Sequence, residues 1–270
     1  MSLIEPNTEA SVSALVGNIR KLGIDVPENL DKELALAKTL KTDDVTRHAA
    51  LGKARAAVEN AADVKAFTKA RDDLAGLMSV ELAKSSPAFQ DYIGTTVNRR
   101  LSNALFDASP GFQQSLSDKF NSIVDDYRLN ELIRDLPDLT NPTLKPVDMN
   151  AKQGKALDAW REGAEKLHKV WGVYSQLAFR AGVQLGARDE ISPNIDLAYV
   201  LGEVPEHRYV MGSATTVGAA QELGMWVGNT DTAKRYGRLA PFVLLPVCNI
   251  PLHLKPLDEA QQLRQELQFN

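Results

Sequence analysis

Apolar residues recur at helical spacing through most of the first half of the chain. Val12, Leu15, Val16, Ile19 and Leu22 fall at three-four spacing, which places them on one face of a helix. Gly23 follows as a C-terminal stop, and Pro27 opens a second helix whose inner face is Leu30, Leu34, Ala37 and Leu40. From Asp43 to Lys84 the chain lacks proline and is rich in alanine, lysine, glutamate and aspartate, most of them good helix formers. A break is expected between Asn60 and Asp63, where a polar side chain can cap a new helix. Before it, around Ala49 to Val58, alanine dominates the inner face. After it, Val64, Phe67, Leu74, Leu77, Met78 and Leu82 are expected to form a buried stripe.

Ser85-Ser86-Pro87 and Ser109-Pro110 each read as a stop and a restart, with serine as the cap and proline in the first turn. The helix after the first carries Phe89, Ile93, Val97, Leu101 and Leu105. The helix after the second carries Phe112, Leu116, Phe120, Ile123, Tyr127 and Ile133. Six helices joined by short connections predict an antiparallel bundle over residues 1–135. Pro137, Pro142 and Pro146 then mark a connector over 136–149, because proline removes donors and forces the preceding residue out of helical geometry. The connector is the expected domain boundary.

Residues 150–270 form the second expected domain. Asn150 and Gln153 have the spacing of a capping box. Leu157, Trp160, Ala164, Leu167, Trp171, Tyr174, Ala178, Ala181 and Leu185 come next at alternating steps of three and four, a heptad-like seam. Val170, Val173, Leu177 and Val183 widen the apolar arc toward the C-terminal end. The inner part of this helix is therefore expected to be a spine for the C-terminal region, with Leu157 to Ala164 left for a partner. Gly163, Gly172 and Gly182 beside the seam suggest close approach of another backbone. Beyond Gly186, glycine and proline punctuate short apolar runs. Residues 195–201, 208–211 and 239–247 read as strands, 216–223 as a short helix, and 258–267 as a last helix docking through Ala260, Leu263 and Leu267. The fold class expected is mainly α, with an N-terminal bundle, a long central helix and a small irregular α+β C-terminal region.

Composition changes this picture little. Of 270 residues, 44% are hydrophobic and 24% charged, with a net charge of −4. A core is within reach without metal or disulfides, and the charge gives no global attraction to nucleic acid or an anionic membrane. The single cysteine, Cys248, permits no internal disulfide, which favours the cytoplasm. No secretory leader is expected at the N-terminus. The most apolar run, Val170 to Gly186, is interrupted by Gln176, Arg180 and Gln184 and is too short to span a bilayer.

Four clusters invite chemistry. Glu165-x-x-His168, with Glu162 one turn earlier, has metal-ligand spacing on a helix, but a dinuclear site needs that motif twice. The solvated flank of an amphipathic helix explains it more simply. Cys248, with His253 and His207, lies among apolar neighbours that raise a thiol pKa, so an inert buried cysteine is expected. Gly212 to Gly218 has a phosphate-cradling context but lacks the Lys-Ser/Thr pair and Gly-x-Gly-x-x-Gly. Lys234, Arg235 and Arg238, with Tyr236 and Trp226 near, pair cations with aromatic rings as single-stranded nucleic-acid surfaces do. Arg99-Arg100 is a second basic spot. No catalytic residue, cofactor or metal is implied. The expectation is a non-enzymatic interaction or assembly protein, self-associating or binding a protein partner through Leu157, Trp160, Ala164, Leu167 and Trp171. A virion or mobile-element structural role is a sub-case. The alternatives are nucleic-acid association through Lys234, Arg235 and Arg238, and an enzyme with a pocket between the long helix and the C-terminal region.

Overall fold

The computed structural model describes residues 8–139, 149–183, 185, 197–203, 236–247 and 249–268. The protein is mainly α-helical. In chain order the elements are α1 (Glu9–Lys21), α2 (Glu28–Glu59), α3 (Val64–Ser85), α4 (Pro87–Asp126), a single turn α5 (Leu129–Leu132) running into a 3₁₀ turn (Ile133–Asp135), α6 (Ala151–Arg180), α7 (Leu197–Leu201), a 3₁₀ turn (Gly237–Leu239), α8 (Leu244–Val247) and α9 (Leu257–Gln268). The chain divides into two compact units. One comprises residues 6–17 and 26–108, the other residues 1–5, 18–25 and 109–270. The boundary between residues 108 and 109 falls within α4.

Local signals account for four of the helix ends. Gly23 adopts φ +75° after α1, where the Ile24 and Gly23 N–H groups donate back to the Ile19 and Arg20 carbonyls. Gly182, at φ +77°, ends α6 with the same pair of bonds, from Val183 to Ala178 and from Gly182 to Phe179. This is the Schellman arrangement, and the flanking pairs Ile19–Ile24 and Ala178–Val183 are all buried, as its apolar contact requires. The seam foreseen to Leu185 therefore stops at Arg180. Asp63 caps α3 by accepting the Ala66 N–H at 2.7 Å. The capping box at Asn150 and Gln153 forms in both directions, at 2.9 and 3.0 Å.

Two foreseen breaks do not occur. α2 is continuous for 32 residues, through the stretch where two helices were expected. α4 runs 40 residues with Pro110 inside it. Proline there removes the bond to the Phe106 carbonyl, but both residues are on the exposed side, so water can satisfy that carbonyl.

In the larger unit the seam of α6 is the core. Trp160, Ala164, Leu167, Val170, Tyr174 and Ala178 are fully buried, and Leu157 and Trp171 nearly so. Phe242 lies edge-on to Phe120 at 5.5 Å, to Trp171 at 6.5 Å and to His168 at 4.8 Å between ring centroids. Gly163 admits Leu129, whose Cδ1 would lie 3.0 Å from an added Cβ, whereas Gly172 has nothing within 4 Å. Close approach at the glycines is thus real at Gly163, to a side chain rather than a backbone.

The strand expectations for the C-terminal region are corrected. The described part of 195–201 is helix α7, and 239–247 is the end of a 3₁₀ turn, a hydrogen-bonded turn and α8. Pro241 and Pro246 lack the donors a strand ladder needs. The segments foreseen at 208–211 and 216–223 lie outside the described residues. Extended structure appears instead at 251–256, around a single antiparallel bridge between Gly202 and Leu252. This strap is bonded on both edges. The Asn130 side-chain amide accepts the Leu252 N–H at 2.7 Å and donates to the Leu252 carbonyl at 3.1 Å. The Asn121 amide repeats this on Leu254, at 2.8 and 3.0 Å. On the other edge His253 and Lys255 donate to the Leu201 and Val200 carbonyls, each at 2.9 Å. Tyr174 donates its hydroxyl to the Lys255 carbonyl at 2.7 Å, and the Lys255 ammonium donates to the Gly202 carbonyl. α9 then packs on α7, with Leu257 and Ala260 buried and Leu263 half-buried.

Candidate functional site

Two surfaces carry the functional question. The first is a cleft of about 940 Å³ in the larger unit. The outer flank of α6 supplies Leu157, Asp158, Arg161, Glu162, Glu165 and His168, while the segment Tyr236–Leu239 and Leu139 close the other side. The polar flank expected at Glu162, Glu165 and His168 therefore borders a cavity. Its charges are largely committed. Glu162 accepts the Tyr127 hydroxyl at 2.7 Å and lies 3.7 Å from Lys166. Lys166 also donates to the Tyr127 hydroxyl and sits 4.7 Å from its ring centroid; the hydroxyl bond holds this ammonium above the usual lysine range. Glu165 pairs with Lys169 at 3.1 Å. His168 Nε2 lies 2.9 Å from the Arg238 carbonyl; a carbonyl only accepts, so Nε2 holds the proton.

Among the described residues that line the cleft, none is a serine, threonine or cysteine. Among the described residues, no group of three or more His, Cys, Asp or Glu side chains is placed to hold a metal ion.

The sequence-predicted contact residues divide three ways. Leu157, Trp160, Ala164, Leu167 and Trp171 are all buried in the chain's own core. Arg238 is exposed at the cleft. Lys234, Arg235, Trp226, His207, Cys248 and the glycine-rich turn at 212–218 lie outside the described residues. His253 is half-buried with its Nε2 3.3 Å from Asn121 Nδ2. Of the other basic spot, Arg99 is exposed, and Arg100 is forked onto Glu33 at 2.7 and 2.9 Å.

The second surface was missed. α3 was expected to bury Val64, Phe67, Met78 and Leu82, yet they are 82%, 47%, 52% and 75% exposed. Val80 on α3, and Phe89, Tyr92 and Phe106 on α4, are exposed as well. Among the described side chains of residues 48–100 only Ala70 is buried. α3 packs against α2 through Ala70 and the half-buried Leu74 and Leu77, facing the alanine-rich half of α2. Helical periodicity identifies a face but not what covers it. The contact through small residues consumes too little surface to bury the larger side chains.

Compared with known proteins, the chain matches no family model, no curated protein and no solved structure. Among the described residues no helix is long and apolar enough to cross a membrane.

Proposed function

We propose that this is a cytoplasmic, non-enzymatic helical interaction or assembly protein that acts through its α2–α3 hairpin and the adjoining start of α4. The observation behind this reading is the stretch 48–100, which buries one described side chain while leaving Val64, Phe67, Met78, Leu82 and Tyr92 in water. Helices gain most of their stability from packing an apolar face, and a hairpin this open gains it best from another protein. A photo-crosslinking amino acid placed at Phe67 or Tyr92 in the full chain in cells tests this. Covalent adducts at both positions, and none at exposed Gln114 in the other unit, are expected. No adduct at either arm position overturns the reading.

The cleft beside α6 favours a second reading, a small-molecule site and with it an enzyme. The cleft has an apolar floor of Leu157, Leu139 and Leu239 and a charged rim of Asp158, Arg161 and Arg238. A metabolite panel screened by thermal shift should then contain a compound that raises Tm in the wild type but not in Arg238→Ala. A panel without effect removes this reading.

A further inference from the structure

Four of the five exposed large apolar residues of α3, all but Val80, are spaced almost identically in both directions along the helix. From Val64 the steps are three to Phe67, eleven to Met78 and four to Leu82, so backwards they are four, eleven and three. At about 100° per residue all four lie within about 60° of arc. They span about 27 Å of helix. Arg71 occupies the middle of the same stripe, exposed and paired with Asp72 at 2.8 Å. A stripe that matches its own reverse is what a two-fold interface between identical chains requires, because each residue must find a complementary one in the other copy.

Resting on the interaction reading above, we propose that the partner is a second copy of this chain, with α3 packed antiparallel against α3 around a two-fold axis at the level of Asp72 and Asp73. Val64 then meets Leu82 of the partner subunit, and Phe67 meets Met78 of the partner subunit. Two Arg71–Asp72 pairs flank the axis. A parallel pairing in register would instead set Arg71 against Arg71 of the partner subunit and leave like charges in the middle of the seam. Charge also selects against a strongly acidic or basic partner. α3 carries Lys65, Lys69, Arg71 and Lys84 against Asp72, Asp73 and Glu81, so it presents no surface of one sign. Two hairpins joined in this way complete a four-helix bundle, the smallest arrangement that gives each α3 helix an interior.

Sedimentation of the purified full chain over a concentration series, together with disulfide trapping in a Cys248→Ser background, tests the geometry. Val64→Cys combined with Leu82→Cys should give a covalent dimer, because those positions are about 27 Å apart on one helix and can only link between copies. Neither single cysteine should link to itself. Leu82→Glu should weaken self-association at least tenfold, and Lys69→Glu, on the far side of α3, should leave it unchanged. A covalent dimer through Val64→Cys alone, or a dimer indifferent to Leu82→Glu, overturns the antiparallel pairing. A chain that stays monomeric throughout overturns self-association. In that case crosslinks from Phe67 to a different protein in cells would still support the interaction reading.

Discussion

Asn121 and Asn130 each use one side-chain amide as a piece of β-strand. Each presents a donor and an acceptor to one residue of the strap, and Leu254 and Leu252, which they hold, are almost wholly buried. Truncating Asn121 leaves a buried N–H and a buried carbonyl without partners. Asn121→Ala should therefore cost about 2–6 kcal/mol, from about 1–3 for each of the two orphaned groups. Urea unfolding followed by tryptophan fluorescence checks it; a loss well under 1 kcal/mol would mean that water replaces the amide. Tyr174 adds a pH dependence. Burial pushes its hydroxyl above the ordinary tyrosine range. The unfolded chain therefore releases that proton from about pH 10 upward while the folded chain keeps it, and stability is lost as pH rises past that point. Burial moves Lys255 the other way, below its ordinary range, so the folded chain deprotonates first there and gains stability on approach to about pH 10.4. Tyr174→Phe loses the bond to the Lys255 carbonyl, about 1 kcal/mol at pH 7. That deficit should shrink or reverse at about pH 11, where only the wild type resists ionisation at this site. A deficit that does not change with pH would contradict this assignment.

Helix α6 offers a paired test at the scale of an element. Gly172 is exposed with nothing within 4 Å of a new Cβ. Gly172→Ala should therefore stabilise by up to about 1 kcal/mol through helix propensity. Gly163→Ala gains the same propensity but drives its Cβ to 3.0 Å from a fully buried Leu129. Overpacking of about 1–3 kcal/mol should win, giving a net loss. Opposite signs in thermal melts of the two variants are the expected outcome, and stabilisation by both would show that Leu129 moves aside. The sequence made this element readable because its signals are local: the Asn150–Gln153 box, the three-four seam and Gly182 each act within a turn. It could not show the strap, whose clamps join residues more than a hundred positions apart, nor the exposure of α3, where the stripe is periodic but its cover is missing. Pro110 misled for a related reason. Proline signals a lost donor, and only the exposure of Phe106 and Pro110 shows that water tolerates the loss.

Across the whole molecule the apolar interior is unevenly shared. The larger unit buries the α6 seam with Phe112, Phe120, Phe242 and Leu129, whereas among the described side chains the last turns of α2, α3 and the first turns of α4 bury almost nothing. Apolar burial at about 25 cal/mol per Å² is the main source of stability, so the two units should not unfold together. The sequence supplies separate reporters. Trp160 and Trp171 are buried in the larger unit, and residues 6–17 and 26–108 contain no tryptophan. Helical circular dichroism reads both units, tryptophan fluorescence only the larger. In urea, part of the helical signal should be lost at a lower midpoint than the fluorescence change, a departure from two-state behaviour. If α3 is covered by a second copy, that early transition, and not the fluorescence transition, should move to higher urea as protein concentration rises, since association stabilises only what it covers. Coincident transitions at every concentration would mean that the hairpin draws its stability from within its own chain, and the exposed stripe of Val64, Phe67, Met78 and Leu82 would then lose its energetic argument for a partner.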